Sequence, residues 1–151
     1  MLKVIKHVIL KVFIVSFLCI PSETYAVQNG QIIINASNFK NSNGTAHFSL
    51  FSRSKGFPDK HKFAHVTASV PIIDNHASVT FENLSFGEYA VSVLHDENNN
   101  YKMDANFIGI PKEGFGISNN YKGEKNRPAF NKAKISLRGN MTVDINMVYF
   151  D

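Results

Sequence analysis

The stretch Leu84-Ser85-Phe86-Gly87-Glu88-Tyr89-Ala90-Val91-Ser92-Val93-Leu94-His95 decides the fold. Tyr89, Val91, Val93 and His95 alternate with Ala90, Ser92 and Leu94, the period of two by which successive side chains of a strand point to opposite faces. Just before it, a leucine and a glycine turn lead into a tyrosine that opens the strand. That order builds a corner in which a buried phenol bonds back to the backbone a few residues upstream, a recurrent device of β-sandwiches. A strand over 88–95, entered through such a corner, predicts a sandwich.

Reading outward, short runs of Ile, Val, Phe and Thr separated by Asn, Gly, Ser and Pro predict further strands over 31–36, 45–53, 63–72, 77–82, 133–138 and 141–149. Gly139-Asn140 suits a two-residue hairpin turn between the last pair. No segment shows a helical period. The expected fold is therefore all-β: an antiparallel Greek-key β-sandwich of about seven strands, immunoglobulin- or prealbumin-like. Regularity stops between Asp96 and Phe130. The stretch carries Phe107, Ile108, Ile110, Phe115, Ile117, Tyr121 and Phe130, so it reads as a long ordered loop folded over one end of the sandwich.

The chain's 151 residues, 44% hydrophobic, suffice for one domain. Residues 1–26 stand apart from it. Lys3, Lys6 and Lys11 precede the apolar run Val12 to Ile20, then Pro21 and a polar stretch ending at Ala26, the layout of a cleaved secretory signal peptide. The run is about half the roughly 20 residues that cross a bilayer core, so no membrane span is expected after cleavage. The expected division is a signal peptide over 1–26, helical in its apolar run, and a single sandwich domain over 27–151, periplasmic or secreted. The leader carries Cys19, the chain's one cysteine, so the mature domain has no disulfide and no thiolate site. It also carries half of the formal +4 charge. With 19% charged residues and no basic block, nucleic acid is not an expected partner. A cell-envelope protein or a glycan is.

The long loop opens with Asp96-Glu97-Asn98-Asn99-Asn100-Tyr101-Lys102-Met103-Asp104. Asp96, Asn98, Asn100 and Asp104 occupy positions one, three, five and nine of a calcium loop, and the carbonyl of Lys102 falls at position seven. Position six, normally glycine, is Tyr101, and position twelve, normally a bidentate glutamate, is Phe107; Glu97 or Glu113 is the substitute carboxylate. The other reading is that Asp and Asn side chains bond their own backbone in successive Asx turns. Both readings stand at this level.

His95-Asp96 invites a general-base reading, but neighbouring strand residues face opposite ways and no serine stands in a nucleophile elbow. No catalytic residue is therefore expected and the protein is not read as an enzyme. The alternative is a cell-envelope hydrolase using His95 and Glu113 beneath the 105–130 loop. His61, His65 and His76 stand singly. Lys112, Lys122, Lys125 and Arg127 give the loop a positive bias.

The run from Tyr89 to Asn100, the block Met103 to Asn120 with its Gly109-Ile110-Pro111-Lys112-Glu113-Gly114-Phe115-Gly116 core, and Pro128-Ala129-Phe130 closely resemble a secreted bacterial family called domain of unknown function 2141. The resemblance covers nearly the whole mature chain and departs from the family at Tyr101, where glycine is usual. It implies a secreted or periplasmic β-sandwich and brings no established activity. Together these readings describe an exported, non-catalytic binding or accessory module with a structural calcium loop at 96–104.

Overall fold

The computed structural model describes residues 28–121 and 128–150. Residues 1–26, where a leader is expected, with Cys19, and Lys122, Lys125 and Arg127, lie outside the described residues. Among the described residues eight strands form two facing sheets. The first holds β4 (Ala77–Ser85), β1 (Asn29–Ser37) and β8 (Met141–Asn146), in that order. The second runs β3 (Val66–Val70), β2 (Thr45–Phe51), β5 (Gly87–Asp96), β6 (Phe115–Ile117), and β7 (Ile135–Leu137) also pairs with β5. A short helical turn, α1 (Phe130–Ala133), precedes β7. The protein is an all-β sandwich.

Alternation explains the core. Ile32, Ile34 and Ala36 of β1, Phe48 and Leu50 of β2, Tyr89, Val91 and Val93 of β5, and Val143 and Ile145 of β8 meet between the sheets, all buried. The corner forms as expected: the Tyr89 hydroxyl donates to the Ser85 carbonyl at 2.8 Å, and the side chain is 5% exposed.

Two expectations are corrected. Residues 133–138 and 141–149 do not make a hairpin: β7 pairs antiparallel with β5, whereas β8 joins the other sheet. Leu137 and Ile135 thus enter the core from one side and Val143 and Ile145 from the other, with the Gly139–Asn140 turn stepping between sheets. The Asn140 carboxamide oxygen accepts the Gln31 N–H at 3.2 Å, which ties that step to β1. In consequence β8 runs parallel to β1, so the sandwich is not wholly antiparallel.

The loop after Asp96 also contains a strand. Residues of β6 pair with Ser92–Leu94, and Gly116 is required there because a Cβ would fall 2.5 Å from Ile145 Cγ2. Between the β6 and β7 pairings, Ser118 accepts the Val91 N–H at 2.9 Å. Phe57 and Ile117 pack with Phe51, Ala90 and Ala133 in a second apolar cluster, while the Ser92 hydroxyl donates to the Pro58 carbonyl. β5 is therefore buried on both faces from Tyr89 to Asp96. Tyr89→Phe deletes one buried hydroxyl bond and is expected to cost about 1 kcal/mol, read as a lowered urea midpoint with unchanged slope.

Candidate functional site

Asp96 ends β5 on its outer face, and the surrounding polar groups are arranged around it. The carboxylate is fully buried. One oxygen accepts the Asn100 N–H at 3.1 Å; the other accepts the Tyr101 N–H at 2.7 Å and lies 3.0 Å from His47 Nε2. A buried carboxylate is stable only when so compensated. Burial works to raise its pKa, but the Tyr101 and Asn100 amides and the His47 ring outweigh it, so Asp96 titrates below the usual carboxylate range.

These bonds force a tight turn. Asn99 and Tyr101 both take left-handed backbone, with φ of 57° and 61°. Asparagine tolerates this; for tyrosine it costs about 1–2 kcal/mol. The Tyr101 ring lies over His47, with centroids 4.6 Å apart, so the strained position also shields the imidazole. Across the ladder Gly44 makes room: a Cβ there would overlap the Asp96 carbonyl oxygen, and its φ is +68°.

Glu113 is the second clasp. Its carboxylate accepts the Glu97 N–H at 3.1 Å and the Asp104 N–H at 2.9 Å, closing the base of the loop. Burial first, with the nearby charges of Asp104 and Asp96, raises its pKa against the pull of those two amides. Beyond it, Lys112 N–H donates to the Asp104 carbonyl, and the Asn106 side chain accepts the N–H groups of Ile108 and Ile110. The segment 104–112 is thus a small backbone-bonded finger. Its tip is apolar and exposed: Phe107 is 99% and Ile108 65% accessible.

Of the predicted calcium ligands, Asn98, Asn100 and Asp104 come together. The two carboxamides donate to the two Asp104 oxygens at 2.7 and 3.1 Å. Asp96 is drawn instead towards His47, although it shares the Asn100 amide with the Asn98 oxygen. The Lys102 N–H donates to the Asn100 oxygen. Among the described residues, no group of three or more His, Cys, Asp or Glu side chains is placed to hold a metal.

His95 and Asp96 face opposite ways. The His95 ring lies inside the sandwich, 2.7 Å from the Tyr149 hydroxyl and 2.9 Å from the Asn43 carbonyl, with its edge to Phe39. Nε2–H donates to Asn43, Nδ1 accepts from Tyr149, and the Tyr149 oxygen accepts the Lys40 N–H. Glu113 is engaged with Glu97 and Asp104, and no hydrogen bond joins it to His95. His47 carries the histidine–carboxylate contact. Its signal was its place in β2: once Thr45 pairs with Asp96, residue 47 is the diagonal neighbour on the same face. A cavity of about 400 Å³ lies elsewhere, between His65, just before β3, with the adjoining Val66, and the Thr80–Leu84 stretch of β4.

The family model described as an uncharacterized protein conserved in bacteria (DUF2141) matches residues 34–146, from within β1 to the end of β8. The chain belongs to that family. Its match takes in Asp96, Glu113 and the whole finger, so the clasped loop lies inside the family's domain. Comparison with curated proteins returns no match, nor does comparison with solved structures.

The shifts of Asp96 and Glu113 have opposite consequences for stability. With its native pKa depressed, Asp96 contributes stability that is present above about pH 4 and drains away as pH falls through the native value. Glu113, raised, contributes stability present below its unfolded value and lost as pH rises through the native one. Asp96→Asn is expected to flatten the acid limb of a pH series of urea denaturations, while Glu113→Gln removes the loss on its rising side. A D96N variant with the wild-type acid limb would contradict this.

Proposed function

We propose that the protein is an exported binding module, a Greek-key sandwich of the immunoglobulin or prealbumin type, whose clasped loop offers a preformed apolar finger to a partner on the cell envelope. Export rests on the leader-like residues 1–26. The single observation that carries the binding role is the finger: Phe107 and Ile108 face solvent on a backbone fixed by Asn106, Asp104 and Glu113. An exposed apolar cluster is unfavourable in isolation and marks interaction sites. A backbone already ordered loses little entropy on binding. Among the described residues no helix is long and apolar enough to cross a membrane.

Retention of the purified protein on washed bacterial envelope fragments tests this. The double change Phe107→Ser, Ile108→Ser touches no core residue, so the melting temperature is expected to stay at the wild-type value. Each apolar side chain buried in a partner is worth about 1.5–3 kcal/mol, so retention should fall at least tenfold. Equal retention of both proteins contradicts the reading.

The meeting of Asn98, Asn100 and Asp104 favours a second reading, in which calcium staples the same loop. A hard cation takes carboxylate, carboxamide and backbone oxygens of this kind, and binding only the folded state raises stability by mass action. Millimolar calcium is expected to raise the melting temperature of wild type but not of Asp104→Ala. No heat on calorimetric titration and no thermal shift would end the calcium reading while leaving the finger intact.

A further inference from the structure

We propose that Ser69, His47 and Asp96 form a serine-nucleophile relay at the edge of the second sheet, competent for acyl transfer from carboxylic esters. The register of three strands assembles it. Ser69 of β3 lies directly across from His47 of β2, and Asp96 of β5 is the diagonal neighbour of His47 on its other side. The Ser69 hydroxyl is 2.7 Å from His47 Nδ1, and His47 Nε2 is 3.0 Å from the Asp96 carboxylate. Asp96, ionised, only accepts hydrogen bonds, so in the neutral imidazole the single ring proton sits on Nε2 and leaves Nδ1 bare. Nδ1 therefore accepts the Ser69 O–H. This is the arrangement by which a serine is activated, with the two ring nitrogens exchanged; the constellation is defined by roles and geometry.

Accessibility follows the same order. Asp96 is fully buried, His47 is 6% exposed, and Ser69 is exposed. Tyr101 covers the imidazole face and the Asn100 and Tyr101 amides hold the carboxylate, so the base is fixed in plane and tautomer while the nucleophile faces solvent. The neighbouring Ser49–His61 pair is equally close at 2.7 Å, but the Ser49 side chain is 1% exposed and sealed from any substrate. β3 has β2 as its one sheet partner among the described residues, so its other side is a sheet edge, the kind of backbone whose unpaired N–H groups can face a developing oxyanion. An open edge of this kind fits an ester carried on a larger molecule.

In the first step Ser69 Oγ bonds to the ester carbonyl carbon while His47 Nδ1 takes the hydroxyl proton. The carbon–oxygen bond to the alcohol then breaks, and the alcohol leaves with that proton. Water attacks the acyl-serine, gives a proton to Nδ1, and releases the carboxylic acid as the proton returns to Ser69. Asp96 is a positioning residue throughout.

The purified full-length protein treated with a fluorophosphonate probe is expected to carry an adduct on Ser69, located by peptide mass spectrometry, and to hydrolyse p-nitrophenyl acetate. Ser69→Ala abolishes both without changing the melting temperature. His47→Gln slows labelling on the order of 10²–10⁴-fold, the range of a general base. Nitrogen-15 spectra of the wild-type histidines report an unprotonated Nδ1 on His47, a signature that a purely structural contact with Ser69 as acceptor would reverse. The proposal is overturned by labelling no greater than that of Ser69→Ala, by an adduct on Ser49 alone, or by a protonated Nδ1; these readings stand even where His47→Gln fails to fold. Envelope retention of Ser69→Ala at the wild-type level keeps this test separate from that of the finger.

Discussion

A carboxylate without solvent contact, at the end of the central strand, is the constraint on which the clasped-loop end of the molecule depends. Asp96 stays ionised only because three donors reach it: the Asn100 and Tyr101 amides from the loop and His47 from the next strand. Each donor brings structure with it. The amides bend the chain into a left-handed turn that a tyrosine would otherwise avoid, and the histidine links the loop to β2 and, through Ser69, to β3. Because an uncompensated buried charge costs several kcal/mol, the loop conformation and the charge stand or fall together.

β5 transmits this order inward. Its core face supplies Tyr89, Val91, Val93 and His95, and its outer face is roofed by the Phe57 and Ile117 cluster and by the loop itself. A strand covered on both sides admits little motion, so Glu97 leaves the sheet from a fixed point, and Glu113, through its bonds to Glu97 and Asp104, returns the chain to the same point. The finger beyond is held at its base by side chains and along its length by backbone bonds. An exposed phenylalanine on such a support is pre-positioned, whereas on a floppy loop it would collapse onto the nearest apolar surface.

Much of this was legible residue by residue. The corner at Tyr89, the alternation of β5, and the special character of the loop beginning at Asp96 follow from local spacing, and Tyr101 stands where the calcium-loop pattern wants a glycine and where the backbone indeed takes positive φ. Other features carried no local sign. β6 is three residues around a glycine, too short to show a period and recognisable only by its fit against Ile145. Gly139-Asn140 has the chemistry of a hairpin turn, but turn chemistry does not say whether the strands it joins share a sheet; packing of Leu137 and Val143 from opposite sides does. His47 carries no motif of its own, since its partners lie 22 and 49 residues away.

The amino-acid sequence by itself determined that the domain from β1 to β8 is all-β, where most of its strands lie, which tyrosine anchors the corner, and that the unusual chemistry begins at Asp96, because those properties are written in periods of two and in the local preferences of Gly, Asn and Asp. The tertiary structure alone decided that β8 runs parallel to β1, that Glu113 clasps the loop, and that Ser69, His47 and Asp96 touch. These depend on strand register, and register is set by the fit of whole faces across the core rather than by any residue's neighbours in the chain.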